Sequence, residues 1–210
     1  MDNDFSSLRE KMVDVQIAAR GVKNARVLQA LRCIPRDVFV PEGMKNFAYT
    51  DEPLPIGEGQ TISQPYIVAY MTEILELQGG ERVLEVGTGS GYQTAVLAEI
   101  SKEVYTIEVI ASLSERAREV LKSLGYINIQ FKVGDGSMGW KDFAPFDAIM
   151  VTAAPGSVPK ALKEQLQVGG RMIIPVGVDY QELILVRREE TSFRERQLLP
   201  VRFVPLVSVH

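Results

Sequence analysis

Apolar and polar positions follow two different periods along the chain, and these periods predict its helices and strands. Apolar residues spaced three or four apart predict helices, whereas short apolar runs between polar or glycine residues predict strands. A helical period opens at a candidate capping box, Ser7 to Glu10. A second one follows Asn24, a residue type that caps helices, and stops before Pro35. The sequence therefore predicts two N-terminal helices that pack on or beside a main sheet.

The helical period is interrupted between residues 49 and 65, where prolines and glycines are frequent. This composition predicts an irregular loop, and loops of defined shape often carry binding or catalytic residues. A further helix is expected to begin at Pro65, because proline is favoured at the first helical position.

Strands and helices alternate from residue 82 onward. The predicted strands are residues 82–86, 104–108, 129–133, 147–151 and 171–176. The predicted helices are residues 93–100, 112–125, which opens at a candidate capping box Ser112 to Glu115, and 159–166. Two β-rich segments, residues 182–186 and 198–204, close the chain without a helix between them. The pattern predicts an α/β fold with a doubly wound, mainly parallel sheet, helices on both faces and an antiparallel edge.

This order of elements indicates one domain over residues 1–210. It comprises N-terminal helices in residues 1–48, a candidate substrate loop in residues 49–65, and a ligand-binding α/β core with C-terminal strands in residues 66–210.

Composition and charge narrow the classes of partner. The net charge is −4, and no run of Lys and Arg forms the basic stripe that is typical of nucleic-acid binders. The first residues are acidic where a signal peptide would be basic, and no apolar stretch has the length of a membrane span. We therefore expect a cytoplasmic protein, monomeric, that binds neither nucleic acid nor membranes.

Histidine and cysteine chemistry is almost absent from the sequence. His210 is the only histidine and Cys33 the only cysteine. This excludes a Ser-His-Asp triad, a Cys-His pair or a histidine-based zinc site unless the terminal residue takes part. Cys33 lies in an apolar stretch and is predicted to be a small buried residue. No metal site is predicted.

A glycine-rich turn lies between the strand at residues 82–86 and the next helix. Glycines at this place let the backbone turn tightly and approach a ligand closely. Glu108 ends the following strand, where an acid can accept hydrogen bonds from ribose hydroxyls or cap the next helix. The candidate ligand residues are thus Glu85, Gly87, Thr88, Gly89, Ser90, Gly91 and Glu108.

The spacing within this turn bears on which ligand it binds. It is G-x-G-x-G, whereas the dinucleotide motif is G-x-G-x-x-G. Glu85, just before the turn, would repel a pyrophosphate and attract a cationic group. S-adenosylmethionine carries an ammonium and a sulfonium, so it is favoured over a dinucleotide.

A second acidic site follows the third predicted strand. Asp135, between two glycines, can accept the adenine amino group at the same edge of the sheet, with Gly136 beside it. A plain turn aspartate is the alternative.

Several segments together resemble one family, the protein-L-isoaspartate O-methyltransferases. The most particular is the loop from Asp51 to Pro65, which reads DEPLPIGEGQTISQP. The others are residues 84–95, 134–136, 144–149, 152–155 and 169–177, so the resemblance covers nearly the whole chain. It implies a Rossmann-like class I methyltransferase fold.

The resemblance also implies a reaction and the residues that carry it. The family transfers a methyl group from S-adenosylmethionine to the free α-carboxylate of L-isoaspartyl residues in damaged proteins and peptides, which begins repair to aspartate through a succinimide. It implies Ser63 as the catalytic residue, with Gln60, Thr61 and Ile62 lining the site. Ser63 also stands where it could cap the helix at Pro65. Gln181 corresponds loosely to a cofactor-side glutamine of the family.

Other functions are open to the same residues. The first is a class I methyltransferase that acts on another carboxylate or on a small molecule. The second is a non-catalytic protein that keeps the cofactor-binding fold, and the intact loop around Ser63 argues against it. The third is a nucleotide-dependent oxidoreductase, and the glycine spacing argues against it.

Overall fold

The architecture is given by a computed structural model, which describes residues 5–207. His210 and the acidic residues at positions 1–4 lie outside the described residues.

A seven-stranded sheet forms the centre of the fold, with the order β5-β4-β3-β6-β7-β8-β9. Neighbouring strands from β5 through β7 are parallel, and β8 and β9 extend the sheet antiparallel. The strands are β3 (Arg82–Val86), β4 (Glu103–Glu108), β5 (Ile129–Val133), β6 (Phe146–Val151), β7 (Leu166–Val176), β8 (Gln181–Arg188) and β9 (Phe193–Val201). The predicted fold class, including the antiparallel edge, is confirmed.

Helices cover both faces of this sheet because successive strand residues point to opposite sides. Val83 and Val104 belong to a core that includes residues of α4 and α5, whereas Leu84 and Ile107 pack in a second core with α6. The helices are α1 (Ser6–Lys11), α2 (Ala25–Cys33), α3 (Pro65–Ile74), α4 (Tyr92–Ile100), α5 (Ala111–Ser123) and α6 (Lys160–Gln165). Short 3-10 turns lie at Arg36–Phe39, Glu42–Phe47, Gly136–Met138 and Lys141–Phe143.

The N-terminal helices pack against α3 and α4 rather than directly on the sheet. The first helix continues from α1 through a π-helical segment, Met12–Ile17, and a 3-10 turn, Ala18–Arg20. Asn24 caps α2 as predicted, since its side chain accepts from the backbone N–H of Arg26 at 3.0 Å.

Both predicted capping boxes are wrong. A capping residue needs extended backbone, but Ser7 already lies inside α1 and Ser112 inside α5. The Ser112 hydroxyl instead donates to Glu58 Oε1 at 3.0 Å.

The segment predicted as an irregular loop contains a β-hairpin. Its strands are β1 (Leu54–Gly57) and β2 (Gln60–Ile62), which pair antiparallel. Leu54, Ile56 and Ile62 point into the core, and this burial holds the hairpin against the domain. Its turn consists of Gly57, Glu58 and Gly59, all with positive φ. The frequent prolines and glycines of this segment thus belong to a hairpin with a defined turn.

The predicted start of the last strand and the predicted burial of Cys33 are both wrong. β9 begins at Phe193, before the predicted start, because its charged residues lie on an exposed edge strand and hide the apolar pattern. Cys33 is exposed, not buried, and its sulfur accepts from Gln29 Nε2 at 3.2 Å.

Candidate active site

A cavity opens at the carboxyl ends of the parallel strands, at the point where the chain direction across the sheet reverses. From β3 the chain proceeds through β4 to β5 on one side and then continues with β6 on the other. Ligands of open α/β sheets bind in the crevice at such a switch point. With its mouth the cavity has a volume of about 790 Å³. Its lining includes Gln60, Thr61, Ile62, Ser63, Val86, Gly87, Thr88, Gly89, Ser90, Tyr92, Gln93, Ile107, Glu108, Gly136, Thr152, Ala153 and residues 204–207.

A second cleft adjoins this cavity. The two share Thr61, Ser63, Thr152 and Val204. The second cleft is about 1020 Å³ with its mouth, and residues 200–203 form another part of its wall. We call these spaces the inner cavity and the outer cleft. Their common wall is a place where two ligands can meet.

The glycine turn forms the floor of the inner cavity. Gly87 has φ of 97°, and its N–H donates to Ile107 O at 2.8 Å. A Cβ at this position would lie 2.3 Å from Thr152 Oγ1, whose hydroxyl donates to Gly87 O at 2.6 Å. Glycine is therefore required at position 87, because φ is positive and a Cβ would clash with Thr152 Oγ1. Gly91, with φ of 88°, does not line the cavity; it packs against α5 at the start of α4.

Glu108 is buried at the cavity wall and braces the glycine turn. Its carboxylate accepts from Gly89 N–H at 2.8 Å and from Ile110 N–H at 3.0 Å. Each carboxylate oxygen has a second lone pair, so Glu108 can still accept hydroxyl donors from the cavity. The two suggested roles, at the ligand and at the start of α5, are thus compatible.

Glu85 lies behind the cavity rather than on its wall. Its side chain is fully buried, and its Oε2 accepts from the hydroxyls of Thr94 and Thr106, both at 2.6 Å. Burial raises the pKa of Glu85 to about 8, although the two threonine hydrogen bonds act to lower it. The expected direct contact between Glu85 and a cationic ligand group is therefore corrected, because the carboxyl reaches the cavity only through Thr106 and Thr88, whose hydroxyl oxygens are 2.6 Å apart.

Of the two neighbours Asp135 and Gly136, only Gly136 lies at the inner cavity. Gly136 lines the inner cavity, and a Cβ there would lie 2.4 Å from Val86 Cγ1. Asp135 is outside the lining, and its Oδ1 accepts from Ser137 N–H at 2.8 Å, which is the turn arrangement.

Gln181 does not line the cavity either. Its side-chain amide donates to Phe203 O at 3.1 Å and accepts from Phe203 N–H at 2.6 Å. This pair of bonds ties the C-terminal segment to β8, and it occupies the side-chain amide that was predicted to contact the cofactor.

Ser63 lies on the common wall of the inner cavity and the outer cleft. The residue that precedes α3 is Gln64, and no side-chain cap is made there by Ser63. The alternative role of Ser63 as a helix cap is therefore wrong. Asp51 supplies the bond instead, since its Oδ1 accepts from Tyr66 N–H at 3.2 Å while its Oδ2 accepts from Gln64 Nε2 at 2.7 Å. Within residues 5–207 the Ser63 hydroxyl makes no hydrogen bond and remains available to a ligand.

Several parts of the wall were missed by sequence reasoning, among them Tyr92 and Gln93 at the start of α4. Thr152 and Ala153 follow β6, and a signal was present, since residues after a parallel strand gather at this edge. The C-terminal residues 204–207 gave no local signal. They are held by backbone bonds to Ala154, whose N–H donates to Val204 O at 2.8 Å and whose O accepts from Leu206 N–H at 2.9 Å.

The fold and the cavity together define a class of enzyme. A glycine turn after the first parallel strand, a buried acid at the end of the second and a cavity at the switch point are the features of a class I S-adenosylmethionine-dependent methyltransferase. The residues fit that cofactor, because the glycine floor admits close approach and the Glu108 carboxylate can accept hydroxyls.

Comparison with known proteins gives the family. The sequence model of the family Protein-L-isoaspartate(D-aspartate) O-methyltransferase matches residues 7–210, and the chain belongs to that family. It is 53% identical over 209 residues to the Protein-L-isoaspartate O-methyltransferase of Picosynechococcus sp., covering 97% of this chain and 94% of the relative. It is also 53% identical over 211 residues to that of Desulfotalea psychrophila, covering 100% of this chain and 99% of the relative.

Solved structures agree with this assignment. One described as a protein-L-isoaspartate O-methyltransferase superposes with a TM-score of 0.87 at 31% identity, covering 94% of this chain and 65% of its own. Another, from Plasmodium falciparum and in complex with S-adenosyl-L-homocysteine, has a TM-score of 0.84 at 25% identity, covering 96% and 99%. The chain is thus an S-adenosylmethionine-dependent methyltransferase of L-isoaspartyl residues in proteins, and an acceptor of another class is not favoured.

Residues 5–207 contain no group of three or more His, Cys, Asp or Glu placed to hold a metal ion. No helix in the same residues has the length and apolarity needed to cross a membrane.

Proposed function

We propose that this enzyme methylates the free α-carboxylate of L-isoaspartyl residues in damaged proteins, and that the ester then closes to a succinimide and begins repair. The observation that carries the proposal is the position of Ser63. Ser63 lies on the wall common to the inner cavity and the outer cleft, and it does not cap α3.

The main task of the protein in this reaction is to position the acceptor carboxylate and the methyl donor. A peptide α-carboxyl has a pKa of about 3.5, so the acceptor is ionised at neutral pH and no general base is required. In the transfer a carboxylate oxygen forms a bond to the methyl carbon, the sulfur–carbon bond breaks, and the electron pair stays on sulfur. This explains how a site without histidine among residues 5–207 can serve the reaction. Correct placement of two reactants alone can contribute about 7–11 kcal/mol in favourable models.

Ser63 is proposed as the catalytic residue that orients the acceptor. Its hydroxyl can donate to one carboxylate oxygen and leave the other directed toward the inner cavity. Gln60, Thr61 and Ile62 precede it on β2 and are proposed to bind the peptide with it, since all three line the inner cavity and Thr61 lines the outer cleft as well.

The cofactor is proposed to lie on the glycine turn. Gly87, Thr88, Gly89 and Ser90 would contact it directly, Glu108 would accept its ribose hydroxyls, and Gly136 would admit its adenine. Glu85, Gly91, Asp135 and Gln181 are proposed to act through the shape of the site, because none of them lines the cavity.

A substitution of Ser63 tests its role. Ser63→Ala should lower kcat about 10- to 150-fold, which corresponds to the loss of one hydrogen bond to a charged group, about 1.5–3 kcal/mol. The affinity for S-adenosylhomocysteine should change by no more than a few-fold. Ser123→Ala is the matched control, because that exposed hydroxyl bonds only within α5. Normal turnover by Ser63→Ala would refute the catalytic assignment.

The reaction itself is tested with paired peptides that differ only in L-isoaspartate or L-aspartate at one position. Labelled S-adenosylmethionine should give base-labile methylation of the isoaspartyl peptide alone. Methylation of both peptides, or of neither, would contradict the proposed acceptor.

We further propose that residues 1–210 act as one methyltransferase domain, monomeric and cytoplasmic, on isoaspartyl proteins and peptides rather than nucleic acid. Support comes from the hairpin and N-terminal helices, which share one core with the sheet, and from the net charge of −4. Light scattering of the purified chain tests the monomer, and a mass of twice 23.3 kDa would contradict it.

A further inference from the structure

The two joined spaces carry opposite charges on their walls. Among the described residues that line the inner cavity, Glu108 is the only Asp, Glu, Lys or Arg, and Arg202 is the only one among those that line the outer cleft. The acid therefore faces the cofactor side, where the ligand is cationic. The arginine faces the side on which the peptide must enter.

Arg202 is held in place by its backbone, but its guanidinium group has no partner in the part of the chain that the structure describes. Val201, before it, pairs with Gln181 in the ladder between β8 and β9. Phe203, after it, has both its N–H and its C=O bonded to the Gln181 side chain. No ion pair or hydrogen bond of Arg202 is formed within residues 5–207, whereas Arg171, Arg187 and Arg194 nearby on the sheet are each paired with glutamates. A fixed backbone with an uncommitted cation is suited to an anionic ligand.

We propose that Arg202 is a substrate-recognition residue that pairs with the α-carboxylate of the isoaspartyl residue as the peptide enters the outer cleft. The inference rests on the proposed function and adds to it a residue for the acceptor. The α-carboxylate is the one anion that every isoaspartyl substrate carries, whatever its flanking sequence. L-aspartate in a normal peptide bond places its carboxylate on a side chain, so the charge lies elsewhere relative to the main chain.

The electrostatics of the whole chain make such a residue useful. A protein with a net charge of −4 repels an anionic peptide at long range, and a single arginine in the cleft gives a local attraction. The guanidinium group can donate a charge-assisted N–H···O bond to the same carboxylate oxygen that Ser63 binds, which leaves the second oxygen free to react. Ser63, on the common wall, could then receive a carboxylate that is already directed toward the inner cavity.

The test uses an isoaspartyl peptide whose only carboxylate is the α-carboxylate: acetylated, amidated at its C-terminus and free of Asp and Glu. Its binding to the enzyme saturated with S-adenosylhomocysteine is measured by fluorescence anisotropy. A second peptide carries a carboxamide in place of that carboxylate. Arg202→Gln should weaken binding of the carboxylate peptide about fivefold to tenfold and leave binding of the carboxamide peptide unchanged.

Arg196→Gln is the matched control. Arg196 is an exposed arginine of β9 that also forms no ion pair within the described residues, and it lies outside both the inner cavity and the outer cleft. The substitution changes the net charge by the same amount. In steady-state assays Arg202→Gln should raise KM for the peptide by a similar factor with kcat within about twofold, and Arg202→Lys should recover part of the loss.

The outcomes separate the proposals. If the wild-type enzyme does not methylate the isoaspartyl peptide, the proposed function fails. If it does, but Arg202→Gln and Arg196→Gln behave alike, or the carboxamide peptide loses as much affinity as the carboxylate peptide, the role of Arg202 is overturned. An effect that is seen only with peptides bearing acidic flanking residues would also overturn it, because Arg202 would then bind those residues and not the α-carboxylate.

Discussion

The buried carboxyl of Glu85 should make the protein less stable as the pH rises toward 8. Its side chain has no exposed surface, its Oε2 accepts two threonine hydroxyls, and its Oε1 is buried without a partner among the described residues. Burial raises the pKa from 4.5 to about 8, and the nearby Glu108 adds to the rise. The native state therefore retains a proton that the unfolded chain has lost between these two pH values.

The sign and size follow from proton linkage. Where the native state binds more protons than the unfolded state, the free energy of unfolding falls as pH increases, by about 1.4 kcal/mol per pH unit for one group. The stabilising contribution of protonated Glu85 is thus complete below pH 4.5 and is lost as the pH rises toward about 8. Between pH 5.5 and 7.5 the loss is about 2–3 kcal/mol.

Glu85→Gln removes this dependence, because glutamine does not ionise. Urea unfolding of the wild type and of Glu85→Gln at pH 5.5, 6.5 and 7.5 should show the variant gaining about 2–3 kcal/mol relative to the wild type over the range. A constant offset is expected in addition, since the glutamine amide has no partner for its N–H groups, which costs about 1–3 kcal/mol at every pH. Glu115→Gln, on the exposed side of α5, is the control for the lost charge. A difference between wild type and Glu85→Gln that is the same at all three pH values would refute the argument.

The glycine floor and the C-terminal wall give two more predictions. Gly87→Ala should weaken S-adenosylhomocysteine binding at least tenfold and cost about 1–3 kcal/mol, because the Cβ meets Thr152 Oγ1. Gly125→Ala, which has positive φ but open space, should cost about 1 kcal/mol in urea unfolding and leave binding unchanged; equal binding losses would contradict the contact argument. Gln181→Leu should increase amide hydrogen exchange at residues 203–206 and destabilise the chain by about 1–3 kcal/mol, since Phe203 N–H loses its acceptor. Unchanged exchange with a large loss of S-adenosylhomocysteine affinity would instead support a direct cofactor contact.

Periodicity predicted the sheet well because its strands are buried on both faces. Each of the segments at 82–86, 104–108 and 147–151 is an apolar run with a glycine or polar boundary, and the alternation with helices determined a parallel arrangement. The hairpin at residues 54–62 was not predicted, since prolines and glycines mark irregular loops and tight hairpins alike. β9 was predicted to begin too late, because an exposed edge strand needs no apolar face.

The candidate site, like the fold, was predicted from the sequence only in part. The glycine turn and Glu108 were predicted from the order of strand, glycine turn, helix, strand and acid, and both lie at the inner cavity. Ser63 and the three residues before it were predicted only from the resemblance of their loop to the family. That Ser63 does not cap α3 could not be predicted, since the acceptor for the Tyr66 N–H comes from Asp51 through the fold of the loop. Nor could the placement of Glu85 behind the turn, because side-chain direction depends on which strand face meets α4.

By itself, then, the sequence determined the order of strands and helices, the glycine turn proposed to bind the cofactor and the family loop that carries Ser63. These are properties of short segments, each governed by local backbone preferences and by periodic burial. The tertiary structure decided which side chains share a cavity. It brought Thr152, Arg202 and residues 204–207 to the walls of the spaces that Ser63 lines, and it placed Glu85 outside the lining of the inner cavity. Such contacts depend on the packing of strands that are distant in sequence, which no local pattern specifies.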